Sequence, residues 1–243
     1  MIAVGTQAHA QQRRRPIQVL NSTFYKGEWM ETGEDARMSP TVFLAEQPPN
    51  YSLEPHFHRQ NQFQLFVAGS ATLGLEQMRP VTVHYAGAYT GYGPLLSGPE
   101  GLQYFTVRPV FDTGIIPATQ AREKMVRGPK RHAQVALGAA WTEERLRALQ
   151  SVDASFPIPP DRGLAVRHVY LPPASAYELE HVDASIGLFM FVLAGSASVA
   201  THLLGLWESV FASADEQLAL SAGPGGAEIV LLHVPPTEPE YAR

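Results

Sequence analysis

The feature that most restricts what this chain can fold into is that it repeats itself. "YSLEPHFHRQNQFQLFVAGSATLG" from Tyr51 and "YELEHVDASIGLFMFVLAGSASVA" from Tyr177 align without a gap. Tyr51 matches Tyr177, Leu53 matches Leu179, Glu54 matches Glu180 and Gly69 matches Gly195, at a constant offset of 195 − 69 = 126 in a chain of 243 residues. Farther on, "SGPEGLQYFTVRP" (97–109) is similar to "AGPGGAEIVLLHVPP" (222–236), each a Gly/Pro turn feeding an apolar strand. The chain therefore reads as two copies of one unit.

Each copy is written in strands. "TVFLAE", "FQLFVAG", "ATLGLEQ", "VTVHYAG" and "LQYFTVRP" are followed by "AVRHVYLP", "IGLFMFVLAG", "ASVATHLLG" and "EIVLLHVP". Several alternate, some are continuously apolar, and none carries a long helical period, which makes the protein all-β. The exception is "WTEERLRALQ" (141–150), where Thr142 can cap a helix whose first turn carries Glu143 and Glu144. The expected organisation is a first unit at 1–112 with an N-terminal arm, a connection at 113–163 with a short helix near 142–150, and a second unit at 164–243. Arg13, Arg14 and Arg15 read as a solvated, mobile arm, and Lys124, Arg127, Lys130 and Arg131 as a solvated face.

Composition narrows the partners. With 45% hydrophobic residues the chain can build a core, and 23 acidic against 18 basic residues give a net charge of −5. No global field favours DNA, RNA or an anionic membrane, and a small-molecule ligand fits better. Cysteine is absent, so disulfides, thiolate metal sites and a cysteine nucleophile are excluded. The first twenty residues hold no sustained apolar run of the signal-peptide kind, and no segment approaches the roughly 20 apolar residues of a membrane-spanning helix. A soluble, cytoplasmic protein is expected.

Within the first copy, "HFHRQNQFQLFVAG" places His56, His58, Gln62 and Gly69 in a pattern that resembles the first motif of the cupins, His-x-His, three or four residues, Glu, six residues, Gly. "YAGAYTGYGPLLSG" (85–98) resembles the second motif, a Pro-Gly-Asp turn followed by Pro-His. The resemblance covers both halves and implies two tandem RmlC-like jelly-roll β-barrels joined by a short helical connection. It also implies one divalent metal (Fe, Mn, Ni or Zn) in the first barrel, held by His56 and His58 with Gln62 and waters. Independently, residues two apart on a strand share a face, so Gln60, Gln64 and Phe66 join those three on one side if the strand runs without a bulge. The sequence departs from the family pattern at two points. Gln62 stands where the family has a glutamate, which removes a negative charge, and Leu95 follows Pro94 where the third histidine is expected. His84 is a candidate substitute ligand. In the second copy the ligand places are Val182, Ala184 and Leu188, so that barrel holds no metal in this way and its lumen should be filled with side chains.

Three functions stay open at this stage. One is a metal-dependent enzyme of dioxygenase, isomerase or lyase type acting on a small organic acid, sugar or aromatic. Another is a binding or regulatory module whose first barrel holds a small ligand through Gln60, Gln62, Gln64, His56 and His58. The third is a purely structural role. Tyr85, Tyr89, Tyr92, Phe66 and Leu95 are the candidate lining residues. Glu54 shares parity with the histidines, but its partner Glu180 persists in the copy without them, which points to a structural task at the barrel rim. Two fused barrels make a monomer the first expectation and a homodimer the second.

Overall fold

The computed structural model describes residues 1–19 and 22–241. The chain is all-β, with two large antiparallel sheets of nine and eight strands. Across the nine-stranded sheet the order is His132–Ala136, Thr82–Ala86, Gln62–Leu73, Leu95–Arg108, Thr41–Gln47, Ser22–Glu31 and Arg15–Val19. Across the eight-stranded sheet it is Ile2–Gly5, Ser209–Ser213, Gly187–Val199, Leu218–Val234, Leu164–Leu171 and Asp153–Asp161. The same plan is used twice, down to a bulge at Val67 in one copy and Leu193 in the other.

The repeated glycine shows why the two sequences agree where they do. Gly69 and Gly195 have φ of 75° and 71°, and a Cβ on either would lie 2.1 Å from a carbonyl oxygen, that of Gly101 or of Gly226. Only glycine adopts that conformation at that distance. It lets the long central strand bend beside its neighbour in each sheet.

The chain divides into one unit of 1–7 with 139–236 and another of 8–138 with 237–243. This differs from the division expected at 112 and 163, because the stretch 113–163 does not stand apart. His132–Ala136 pairs with Thr82–Ala86 as an edge of the first sheet, and Asp153–Asp161 pairs with Leu164–Leu171 as an edge of the second. The opposite edge of the second sheet is the N-terminal strand Ile2–Gly5, paired with Ser209–Ser213. These strands were hard to see because edges tolerate what central strands do not: "DASFPIPPD" carries three prolines, and "RPIQV" at an edge of the first sheet carries one. The expected helix forms at Glu143–Arg147, shorter than 142–150, with the Thr142 side chain accepting from the Arg145 N–H.

The arginine arm is also corrected. Arg13 pairs with Glu31, Arg14 grips both oxygens of Glu46 at 2.8 and 3.1 Å, and Arg15 lies 2.6 Å from Glu28, whose side chain is buried. Arg15 begins an edge strand, and the three side chains lie against carboxylates of the neighbouring strands. Among the described residues no helix is long and apolar enough to cross a membrane.

Candidate functional site

Strand parity builds the site. In the first sheet Gln62, Gln64 and Phe66 lie opposite Ala86, His84 and Thr82 on one side, while Phe66 and Gln64 lie opposite Tyr104 and Thr106 on the other. Arg108 ends the same strand as Tyr104 and Thr106, at the same parity. In the second sheet the matching positions are Leu188, Met190 and Val192 on the central strand, Val210 across from Met190, and Ile229, Leu231 and His233 on the other neighbour. All of these except His233 belong to one closed apolar cluster, which fills that lumen as expected. The fold thus does not need polar residues there. The first copy has them by sequence choice alone.

The hydrogen bonds in the first lumen run in one determined direction. Arg108, a cation that can only donate, gives its Nε and Nη2 hydrogens to Gln62 Oε1 at 3.0 and 2.9 Å. That orients the Gln62 amide nitrogen toward the Tyr92 hydroxyl, to which it donates. His56 gives its Nδ1 hydrogen to the Glu54 carbonyl at 2.7 Å, so its Nε2 is an acceptor and receives the Tyr92 O–H at 3.1 Å. Glu54 therefore serves through its backbone, and its carboxylate is exposed.

His58 is fixed by a different partner. Asp112 accepts from His58 Nδ1 at 3.2 Å, from the Arg59 N–H at 3.0 Å and from the Gly114 N–H at 2.8 Å. Burial by itself would raise this carboxyl, but the His58 hydrogen bond, the Arg108 charge and the backbone donor hold it well below the usual carboxylate range. Since Asp112 is an anion, the His58 Nδ1 hydrogen points at it. The Arg108 Nη2, 3.2 Å from Nδ1 and 3.4 Å from Nε2, then rests against the imidazole ring without a hydrogen bond to Nδ1. Burial, aided by the neighbouring charges, keeps both histidines neutral: His56 is pulled down to about 3 and His58 to about 4.

A metal held by His56 and Gln62 would need their lone pairs, and these are taken. Tyr92 covers Nε2 of His56, Arg108 holds the Gln62 oxygen, and the guanidinium puts a positive charge beside His58. His84 gives its Nδ1 hydrogen to Gln64 Oε1 at 2.8 Å and packs its ring on Tyr92 and His132; its Nε2 is buried without a hydrogen-bond partner, but among the described residues it forms no ligand group with His56 and His58. Among the described residues no group of three or more His, Asp or Glu could hold a metal ion. The residues present do not fit a divalent ion.

A cavity of about 60 Å³ opens on this network, lined by His56, His58, Gln62, Gln64, Tyr92, Tyr104, Thr106 and Arg108, with Val19, Phe24, Phe43, Leu53 and Ile115 on its apolar side. Of the ligand-binding residues expected from sequence, His56, His58, Gln62, Gln64 and Tyr92 line it. The others do not, for identifiable reasons. The strand breaks after His56–Phe57 and resumes at Gln62, which takes Gln60 off the shared face. Phe66 lies deeper, stacked on Tyr104 at 5.3 Å. Tyr85 has the opposite parity to His84 and packs on Phe63 at 5.0 Å. Tyr89 packs on Phe57 and Tyr241. Leu95 pairs with Leu53 and Leu73 inside the apolar core.

Sequence reasoning missed Arg108, Asp112, Tyr104 and Thr106. A signal for three of them existed: "LQYFTVR" alternates, and its polar face stands against Ile229, Leu231 and His233 in the copy. Asp112 lies beyond the strand, and only the folded turn brings it to His58.

No family model matches the chain, and no curated protein matches it in sequence. Solved structures do resemble it. The bacterial pirin YhhW of Escherichia coli, solved in complex with nickel(II), is 12% identical, with 98% of this chain and 100% of that one covered at a TM-score of 0.58. Oxalate decarboxylase of Bacillus subtilis, with its Mn(II) centres, is 10% identical, with 92% and 76% covered and a TM-score of 0.59. The salicylate 1,2-dioxygenase of Pseudaminobacter salicylatoxidans is 10% identical, with 82% and 72% covered and a TM-score of 0.52. At these identities the likeness is one of fold, and this chain has the all-β jelly-roll fold of the cupins.

Proposed function

We propose that the chain is a two-barrel cupin that binds a small ligand in its first barrel without a metal, while the second barrel serves as scaffold. The observation that carries this reading is the buried Arg108 guanidinium, hydrogen-bonded to Gln62 Oε1 and set against His58, together with the Tyr92 hydroxyl on His56 Nε2. A positive side chain and a phenol stand where a metal ion would have to sit. The ordering shell of a metal site is kept, since Glu54 and Asp112 fix both imidazoles with Nδ1 protonated, the arrangement that frees Nε2 for an ion. That retention is what favours the second reading, a metal-dependent enzyme of dioxygenase, isomerase or lyase type, in which Tyr92 and Arg108 swing away. It would require removing a buried cation from its partners, so the metal-free reading is preferred.

The cavity also limits what binds. Small-molecule sites usually measure about 300–1,000 Å³, whereas this one offers about 60 Å³. That volume takes a group of a few heavy atoms, and a sugar or aromatic ring would have to open it. Elemental analysis of untagged protein, before and after incubation with excess Fe(II), Ni(II) or Zn(II), tests the proposal. The expected result is no stoichiometric metal under either condition. One equivalent that disappears in the His56→Ala/His58→Ala variant would reverse the assignment in favour of the metal enzyme.

A further inference from the structure

We propose that the chamber of the first barrel is a carboxylate site, in which Arg108, Tyr104, Thr106 and Gln64 present hydrogen-bond donors to a planar oxyanion of three or four heavy atoms. The inference rests on the metal-free reading above and adds the class of ligand.

The argument follows from what the lining groups have left to offer. The lining acceptors face neighbours: Gln62 Oε1 receives Arg108, Tyr92 receives Gln62, His56 Nε2 receives Tyr92, Gln64 Oε1 receives His84 Nδ1, and His58 Nε2 lies 3.4 Å from Arg108 Nη2. With the Gln47 amide nitrogen donating to the Tyr104 hydroxyl at 3.3 Å, the Tyr104 O–H is left to donate, while Gln47 Oε1 is buried without a partner. The donors that remain are the Tyr104 and Thr106 hydroxyls, the Gln64 amide nitrogen, and Nη1 of Arg108, which has no hydrogen-bond acceptor among the described residues. A ligand made of acceptors is what satisfies such a lining, and a buried guanidinium matches a carboxylate in both charge and planarity.

Charge gives the same answer. Two carboxylates act on Arg108, and both are engaged: Asp112 by His58 and by the N–H groups of Arg59 and Gly114, and buried Glu28 by Arg15 and Lys26. Phe43 faces the guanidinium with its centroid 5.6 Å away, and Val19, Phe24 and Ile115 complete an apolar side against which a short alkyl remainder can rest. The second barrel supplies the contrast, since Leu188, Met190, Ile229 and Leu231 occupy equivalent positions in an apolar cluster, and His233, at the place of Arg108, is the one polar side chain among them.

The test uses the full chain at pH 7, with isothermal titration and thermal unfolding in formate and acetate. Formamide and acetamide serve as neutral ligands of the same shape, and ionic strength is matched with chloride. The expected result is saturable one-to-one binding of a carboxylate that raises the unfolding temperature, with no such effect from the amides. A hydrogen bond to a charged group is worth enough that Tyr104→Phe should weaken binding about tenfold and Arg108→Gln about a hundredfold. Tyr104→Phe keeps the inference testable if Arg108→Gln does not fold. Equal binding of amide and carboxylate, no binding of either carboxylate, or full affinity in Tyr104→Phe would overturn the carboxylate assignment and leave the metal-free reading standing. Uptake of one metal ion dependent on His56 and His58 would overturn both.

Discussion

Acid should destabilise this protein well before its carboxylates titrate. His56, His58 and His84 are buried in the lumen of the first barrel, and burial, reinforced by one another and by Arg108 and His132, pulls them to about 3, about 4 and about 3. In the unfolded chain each titrates near 6.5. Between pH 6.5 and about 4, therefore, only the unfolded state takes up these protons, and stability falls as pH falls. Each group contributes a slope of about 1.4 kcal/mol per pH unit, so moving from pH 7 to pH 5 costs about 2 kcal/mol per histidine and about 6 kcal/mol for the three. That is of the order of the whole stability of a typical domain, about 5–15 kcal/mol. The assay is urea denaturation at pH 7.5, 6.5, 5.5 and 5.0, read by tryptophan fluorescence and far-UV circular dichroism. His84→Leu should lower stability at pH 7, because Gln64 loses its partner, yet reduce the slope below pH 6.5 by about a quarter, since buried His233, also held down to about 4, is a fourth such group. A stability that stays flat from pH 7 to pH 5 would show that the lumen histidines are solvated or already charged, and the directed network described above would be wrong.

Tyr92→Phe leaves His56 Nε2 without its donor and the Gln62 amide without its acceptor, and should cost about 1–3 kcal/mol in denaturant unfolding. Asp112→Asn removes the anion beside a buried guanidinium and should cost about 3–5 kcal/mol at pH 7. Because the Asp112 carboxyl is held below its unfolded value near 4, its stabilisation is complete above that pH and is lost as pH falls further, so the deficit of the variant should shrink at pH 3. Gly69→Ala and Gly195→Ala each force a Cβ to 2.1 Å from a carbonyl oxygen, and both should lower thermal stability strongly and to a similar extent. A tolerated alanine at either position would mean that the two bends are not equivalent.

The fold was legible because the similar stretches of the two halves give each signal twice. The gap-free match of Tyr51–Gly69 with Tyr177–Gly195 makes chance agreement implausible and places the same Gly-bent strand in each sheet. The edges were less legible, since a strand such as Asp153–Asp161 is specified by its neighbour's exposed backbone and not by its own alternation. For the site, the comparison of copies singled out His56, His58 and Gln62, and all three line the first lumen's cavity. It went wrong on Tyr85, Tyr89 and Leu95 because they were chosen by residue type near a motif, while membership depends on parity and depth. Arg108 is the instructive omission. An arginine ending an alternating strand reads as a surface residue, and its burial follows from Gln62, His58 and Asp112 converging on it from other parts of the chain.

The central claim is that the lone pairs of His56 and Gln62 are committed to Tyr92 and Arg108, with the guanidinium set beside His58, rather than open to a metal. Imidazole nitrogen NMR on ¹⁵N-histidine-labelled protein at pH 7.5 tests it most directly, with His56→Gln and His58→Gln used for assignment. The account predicts that His56 and His58 are both neutral with the proton on Nδ1, and that equimolar Zn(II) leaves their Nε2 signals in place. A joint shift of both Nε2 resonances on adding one equivalent of Zn(II) would contradict it and return the site to metal chemistry.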